Sequence, residues 1–320
     1  MPPAAVLERP IERHASRSKS APSALSVLDS ELHELISTGG PLPADYASLN
    51  QKLRAVGDAV RASLLSKPEV LAYARDLTAR HFTGTLQAQA LERKYGYSGD
   101  FEIIDAIYRQ TLHRDPALRR WDLFFHAQAA PVAVRNRKAW FHRLLDDHLA
   151  TKEGKPLRVL DVASGPARDV REWMLDHPGE EVFFDCIDAD IHAIDHARKL
   201  CAPFIDRVEF HHRNAMRFLP AKGYDLVWSA GLFDYLMDRS FVFLLKSLLA
   251  VTRIGGEVVI GNFSPFNPSR DYMELLGDWV LYHRTERQLI ELAREAGAPA
   301  DAIQVEWEPE GVNYFLHVRR

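Results

Sequence analysis

The sequence has very few cysteines, and neither lies in a ligand pattern. Its 320 residues contain only Cys186 and Cys201. Both stand in apolar or helical surroundings, without a C-x-x-C pair or the Cys/His spacing of a zinc site. This excludes a disulfide framework and a structural metal. We therefore expect no metal ion and two thiols that serve packing.

Long apolar runs and an excess of one charge are also lacking. No stretch approaches about 18 consecutive apolar residues, and the N-terminal segment has no hydrophobic core of a signal peptide. We therefore expect no membrane span and a cytoplasmic location. Forty basic and 44 acidic residues are interleaved, for a net charge of −4, which argues against a nucleic-acid or anionic-membrane surface. The expected partner is a small-molecule substrate, and the oligomeric state stays open.

What the chain does have is two successive periodicities. Residues 1–25 are rich in Pro, Ala, Ser and Arg without an apolar period, which predicts a mobile tail. Residues 26–151 show helical apolar spacing throughout, which predicts an all-helical domain. From 152 to 320 strands alternate with helices, and a turn too short for a crossover joins the last two strands. The predicted fold is α/β, a parallel sheet covered by helices and ending in an antiparallel hairpin.

The first turn of the second half carries the first candidate site. In "VLDVASGPARDV" the residue Asp161 ends a strand, and residues 164–167 lead into a helix whose N-terminal amides face a ligand. Only Gly165 can readily take a positive φ, and Pro166 suits the first helical turn. Gly-x-Ser-x-Gly and Gly-x-Gly-x-x-Gly are both missing. A hydrolase elbow and a nicotinamide-binding turn are therefore not supported.

Polar residues also follow the next strands. Asp188 closes the second strand about 20 residues after the turn, where such folds place an acid against ribose hydroxyls. Asp190, two residues later, is the expected N-cap of the next helix. The stretch "RNAMRF" follows the third strand and "WSAGLFDYL" ends the fourth. Candidate residues thus stand at four successive strand ends.

In this order the motifs resemble those of class I S-adenosylmethionine-dependent methyltransferases, with an N-terminal helical lid on a Rossmann-like domain. The resemblance implies S-adenosyl-L-methionine as cofactor, with its amino-acid end in the Gly165 turn and its adenine near Asn214. The turn departs from the family, which usually has two or three glycines where this chain has Gly-Pro-Ala. The implied cofactor-binding residues are Asp161, Ser164, Gly165, Pro166, Asp188, Ala189, Asn214, Ala215, Ser229 and Gly231.

Stretches outside this core are similar to a narrower group. "RKYGYSGDFEIIDAIY" and "GNFSPFNPSRDYMELLGDWVLYHRT" resemble the proteins named for biosynthesis of the extracellular factor 3-hydroxypalmitic acid methyl ester. This resemblance implies methylation of a fatty-acyl carboxylate in quorum sensing or secondary metabolism. A second group with such a lid, the azetidine-2-carboxylate synthases, cyclises the cofactor on itself and releases methylthioadenosine.

The two chemistries require different catalytic groups. A fatty-acid carboxylate is ionised at neutral pH and needs no base, whereas a hydroxyl, an ammonium or the cofactor's own amine needs one. We expect an O-methyltransferase acting on an acyl or 3-hydroxy-acyl substrate, with cofactor cyclisation and an inactive cofactor-binding protein as alternatives. Arg135 or Arg137 could pair with a carboxylate. The candidate catalytic residues are Tyr97, Asp100, Arg135, Asp234 and Tyr235, with His126, Tyr282 and His283 as further possible bases.

Overall fold

The first half of the chain is helical, as its periodicity predicts. The computed structural model describes residues 23–152, 154–220 and 223–320, so most of the predicted tail, residues 1–22, lies outside the described part. Of the remaining three residues of the predicted tail, Ser23 is the N-cap of the first helix and residues 24 and 25 belong to that helix. The helices are α1 (Ala24–Ser37), α2 (Tyr46–Arg61), α3 (Lys67–His81), α4 (Leu86–Glu92), α5 (Phe101–Arg109), α6 (Pro116–Ala127) and α7 (Ala129–Ala150).

Local capping explains where several of these helices begin. The side chains of Ser66 and Thr85 accept hydrogen bonds from the first turns of α3 and α4. Asp100 and Asp115 do the same for α5 and α6. Each cap satisfies a backbone donor that has no partner within the helix, which is worth about 1 kcal/mol. Short polar residues between apolar periods therefore fix the helix starts.

The second half forms one seven-stranded sheet in the order β3-β2-β1-β4-β5-β7-β6. All neighbouring pairs are parallel except β5 with β7 and β6 with β7. The predicted fold, including the antiparallel C-terminal hairpin, is thereby confirmed. The strands are β1 (Leu157–Val162), β2 (Val182–Asp188), β3 (Val208–His212), β4 (Tyr224–Ser229), β5 (Thr252–Phe263), β6 (Ile303–Trp307) and β7 (Asn313–Arg319), and the helices are α8 (Arg168–Asp176), α9 (Ile191–Leu200), α10 (Asp238–Val251), α11 (Arg270–Leu276) and α12 (Glu286–Glu295).

The strand order fixes where a ligand can bind. Strand β1 pairs with β2 on one side and with β4 on the other. The chain therefore builds the sheet outward from β1 to β3 on one side, and then crosses back to start the other side at β4. A crevice opens at the carboxyl ends of the strands where the order reverses. Asp161, Asp188 and Ser229 lie at or next to these ends of β1, β2 and β4.

Packing crosses the predicted boundary near residue 152 from both sides. The C-terminal half of α7 packs on the sheet, where Phe141 stacks on Trp228 with ring centroids 5.0 Å apart. In return, α11 after β5 buries Tyr272 and Met273 in the core of the helical half. Ion pairs reinforce this contact, and one joins Arg61 to Asp271 at 2.6 Å. Each half of the chain therefore contributes a helix to the core of the other, α7 to the sheet and α11 to the helical half. This exchange of elements holds the helical half on the sheet.

None of the helices in the described ranges combines the length and the apolar character needed to cross a bilayer. Cys186 and Cys201 are both buried and free, which confirms the interpretation that they serve packing.

Candidate active site

A cavity of about 690 Å³ lies between the carboxyl ends of β1, β2 and β4 and the helical half. Twelve of the fifteen residues predicted to form the site line it. They are Tyr97, Asp161, Ser164, Gly165, Pro166, Asp188, Ala189, Asn214, Ala215, Gly231, Asp234 and Tyr235. Asp100, Arg135 and Ser229 are not among the lining residues.

The turn after β1 is more strained than its single glycine predicts. Besides Gly165 (φ +53°), both Ala163 (φ +56°) and Ala167 (φ +50°) take left-handed backbone conformations. The expectation that only the glycine would do so is wrong, as is the placement of Pro166 in the first turn of α8, since Ala167 is the N-cap. Left-handed alanines cost roughly 1 kcal/mol each and persist where surrounding contacts fix the turn. Here the amide of Ser164 donates to the carbonyl oxygen of Ile187 at 3.1 Å.

Asp188 fixes the same turn from the end of β2. Its Oδ2 accepts a hydrogen bond from the Gly165 amide at 2.9 Å, and its Oδ1 accepts one from the Asp190 amide at 2.8 Å. Burial raises the pKa of the Asp188 carboxyl, although these two bonds oppose the shift. Asp190 in turn accepts a hydrogen bond from the His192 amide, which confirms it as the N-cap of α9.

Several buried polar atoms at the base of the cavity have no hydrogen-bond partner in the described part of the chain. They are Asp161 Oδ2, Ser164 Oγ and Arg137 Nε. Burial, followed by the nearby carboxylate of Asp169, raises the pKa of Asp161 well above its usual range. Buried polar atoms normally have partners, so these three indicate a polar ligand.

The amino-acid end of S-adenosylmethionine matches this set of atoms. Its ammonium would meet Asp161, and its carboxylate would meet the guanidinium of Arg137 and the hydroxyl of Ser164. A Cβ built at Gly165 would have no heavy atom within 4 Å, so the open space above the turn reaches the backbone itself. The residues present therefore fit the cofactor.

The other end of the cofactor crevice is more open. Asn214 is exposed and its Oδ1 accepts a hydrogen bond from the Met216 amide at 2.9 Å. Ala189 and Ala215 line the cavity together with the apolar side chains of Ile191 and Met216. This surface can hold a flat, weakly polar ring such as adenine.

Residues 95–100, here called the lid turn, are fastened to both sides of the cavity mouth. The Tyr97 hydroxyl donates to Asp190 Oδ2 at 2.9 Å. On the other side, the Tyr235 hydroxyl donates to the Ser98 carbonyl at 2.9 Å and accepts from Trp279 Nε1 at 2.8 Å. Gly99, at φ +70°, has no space for a side chain, because a Cβ would lie 2.5 Å from the Trp279 ring. The lid turn therefore covers the cavity through a few specific polar contacts.

The three predicted residues outside the cavity have other contacts. Asp100 caps α5 by accepting hydrogen bonds from the amides of Glu102 and Ile103. Arg135 donates to the His126 carbonyl at 2.9 Å, and the Ser229 hydroxyl donates to the Val162 carbonyl at 3.0 Å. Each side chain is directed to backbone atoms near its own element, which the sequence pattern does not reveal. Their predicted catalytic or cofactor-binding roles stay predictions.

The cavity also narrows the choice of a general base. His126, Tyr282 and His283 are not among its lining residues. Burial raises the pKa of both Tyr97 and Tyr235, so their phenols are protonated at neutral pH. Burial raises the pKa of Asp234 to about 7, while its Oδ1 accepts the Phe263 amide at 2.6 Å. Of the three candidate bases that line the cavity, Tyr97, Asp234 and Tyr235, only Asp234 has a pKa near neutral.

Other lining residues are not among the fifteen predicted to form the site. Gln87, Tyr108, Phe125, Tyr272 and Trp279 reach the cavity from the helical half and from the segment after β5. Their spacing is that of ordinary helix core or of a loop. Only the packing of α11 against the helical half brings them together.

Comparison with known proteins agrees with the fold. Residues 159–256 match a family described as methyltransferase domain. No curated protein sequence matches the chain. A solved structure described as a possible exported protein from Bordetella parapertussis is 20% identical over 81% of this chain and 98% of its own, with a TM-score of 0.61.

Two other solved structures are less similar. The S-adenosylmethionine-dependent methyltransferase SibL is 19% identical over 93% of this chain and 95% of its own (TM-score 0.44). The 1,6-didemethyltoxoflavin-N1-methyltransferase of Burkholderia thailandensis is 18% identical over 60% and 84% (TM-score 0.42). At these TM-scores neither structure bears on the function of this chain.

The sheet order and the antiparallel C-terminal hairpin are those of a Rossmann-like class I methyltransferase fold, and residues 159–256 within it match a methyltransferase domain. The unpartnered polar atoms of the cavity fit S-adenosyl-L-methionine as the cofactor. These findings give no support to cyclisation of the cofactor.

Replacing Asp188 tests the cofactor crevice. Asp188→Ala removes the acceptor of the Gly165 and Asp190 amides, and it should weaken S-adenosylmethionine binding roughly 10- to 100-fold. Calorimetric titration measures the effect. Asp195→Ala, on the exposed face of α9, is the control and should bind normally. An unchanged affinity in folded Asp188→Ala would remove Asp188 from the site.

Two substitutions distinguish the contribution of the lid turn to turnover from its contribution to folding stability. Tyr97→Phe deletes the bond to Asp190 and should lower turnover several-fold with little change in Tm, because one partly exposed hydrogen bond contributes little to folding. Asp100→Ala should instead lower the stability by about 1 kcal/mol, since it removes a helix cap. Thermal melts and rates per folded molecule distinguish the two. Full activity of Tyr97→Phe would make the contact structural only.

Proposed function

We propose that this protein is an O-methyltransferase that methylates the carboxylate of an acyl or 3-hydroxy-acyl substrate. The observation that carries the proposal is the division of one cavity into two unlike halves. The half at the strand ends contains the unpartnered polar atoms that fit the cofactor. The half under the helices is lined mainly by apolar side chains.

The apolar half is suited to a hydrocarbon chain. Ile104, Ile107 and Val134 contribute from α5 and α7, and Phe263 and Leu281 contribute from the segment around α11. Burying each methylene of a ligand here would contribute about 0.8 kcal/mol. The hydrocarbon chain of an acyl group can fill this space. A charged group placed in this half of the cavity would lose its hydration without compensation.

The charges near the middle of the cavity suit a carboxylate. Arg137 is only 6% exposed and lines the cavity. A guanidinium has five N–H donors, so the group that meets the cofactor's carboxylate can also attract the carboxylate of the acceptor in a medium that screens poorly. Asp234 is 1% exposed, and its pKa of about 7 keeps much of it neutral at neutral pH. A neutral Asp234 does not repel an anionic acceptor.

Catalysis then requires little beyond positioning and exclusion of water. S-adenosylmethionine supplies a methyl group on a positively charged sulfur. The lid turn closes the mouth through Tyr97 and Tyr235, and the cavity walls hold the carboxylate in line for transfer. The place of this reaction in signal or secondary-metabolite biosynthesis, like the cytoplasmic location, is part of the proposal and rests on sequence patterns.

Product analysis tests the reaction type. With S-adenosylmethionine and a medium- to long-chain 3-hydroxy acid, the enzyme should form S-adenosylhomocysteine and the methyl ester, and without an acid it should form almost none. Chromatography of the nucleosides and mass spectrometry of the ester measure this. Enzyme-dependent methylthioadenosine in the acid-free reaction, above spontaneous decay, would contradict the proposal and indicate cyclisation.

Asp234→Asn tests the kind of acceptor. As the pH rises through about 7, Asp234 ionises. If the acceptor is a carboxylate, the KM of the wild-type enzyme for that acceptor should then rise, because two anions share the cavity. The variant should keep kcat within about tenfold and lose this pH dependence. If Asp234 is a general base, kcat should instead rise with pH, and the variant should lose roughly 100-fold or more. The pH profiles of kcat and KM decide between them.

A further inference from the structure

One side chain in the apolar half of the cavity is polar, buried and incompletely bonded. Gln87 on α4 lines the cavity and is 6% exposed. Its amide nitrogen donates a hydrogen bond to the carbonyl oxygen of Leu276 at the end of α11. Its Oε1 is buried without a hydrogen-bond partner among the residues that the structure describes.

The orientation of this amide follows from its surroundings. Leu276 offers a carbonyl oxygen, which can only accept a hydrogen bond, so the NH₂ end of Gln87 must face it. The carbonyl end is thereby left on the other side. Turning the amide over would place two acceptors against each other and would not satisfy either group.

An unpartnered carbonyl in an apolar wall is costly. Leaving a buried acceptor unsatisfied costs about 1 to 3 kcal/mol. The neighbouring lining residue on the same helix is Ala90, and α11 contributes Tyr272 and Met273. A bound molecule that carries a hydrogen-bond donor would satisfy the Gln87 oxygen.

We propose that Gln87 is a specificity residue that recognises a hydroxyl group on the acyl acceptor. The inference rests on the proposed function and deepens it. Gln87 accepts the hydroxyl proton while the apolar walls hold the chain on either side, so an acceptor without the hydroxyl leaves the amide oxygen unpaired. Such an unpaired group is an effective basis for rejecting an analogue that lacks the donor.

The experiment compares three acids of one chain length. The wild-type enzyme with S-adenosylmethionine is offered a hydroxy acid, the acid without the hydroxyl and the oxo acid, which keeps an oxygen but cannot donate. We expect kcat/KM to favour the hydroxy acid roughly 10- to 100-fold over both others. A series with the hydroxyl at successive carbons locates the preferred position. Equal rates on the hydroxy and unsubstituted acids at every position would overturn the inference while leaving the proposed function intact.

Two variants assign the preference to the side chain. Gln87→Met should reduce the ratio between hydroxy and unsubstituted acids to within about threefold, because the hydroxyl group loses its acceptor. The matched control is Gln89→Met, because Gln89 lies on the same helix and is not among the cavity's lining residues. It should keep the wild-type ratio. A full preference in folded Gln87→Met would overturn the assignment.

A binding measurement tests the recognition of the hydroxyl group independently of turnover. Calorimetry of the three acids with the wild-type enzyme and S-adenosylhomocysteine should show the same order of affinity. If the acids bind in this order but no ester forms, the proposed reaction fails and the role of Gln87 in recognition stands. If none of the acids binds, both proposals are overturned.

Discussion

Asp188 accepts one backbone hydrogen bond on each carboxylate oxygen, and the active site depends on this pair. One bond fixes Gly165 in the strained turn after β1, and the other fixes Asp190 at the start of α9. Asp190 then caps α9 with one oxygen and accepts the Tyr97 hydroxyl with the other. A single buried acid thus connects the cofactor turn, a helix N-terminus and the lid turn.

The lid turn needs a rigid support on its other side, and the exchange of elements between the two halves supplies it. Trp279 follows α11, which is anchored in the helical core and paired through Asp271 with Arg61. From there Trp279 donates to Tyr235, which lies in the loop after β4. The mouth of the cavity is therefore framed by the segments that follow β2 and β4. The third side is the segment after α11, which belongs to the second half of the chain in sequence but packs against the helical half.

The two halves of the cavity differ in how their polar groups are satisfied. At the strand ends Asp161, Ser164 and Arg137 all leave polar atoms unpaired, and buried groups of this kind are tolerated where a ligand completes them. Under the helices Gln87 is the comparable case. Apolar walls between these groups strengthen each interaction, because water that would screen it is excluded. In the proposed function, affinity for the acyl chain and selectivity for its polar substituents are supplied by different side chains.

The sequence by itself determined the fold and most of the cofactor crevice. Apolar periods of two and of about 3.6 residues distinguish strands from helices, and the parallel order brings strand ends such as Asp161 and Asp188 to one edge. It also predicted the capping role of Asp190, because capping depends on neighbours only a few residues away. The left-handed alanines at 163 and 167 and the positions of Gln87 and Trp279 were decided by the tertiary structure alone. In Gln87 the reason is plain: its amide is oriented by a carbonyl 189 residues further along the chain, and no local pattern records a contact of that span.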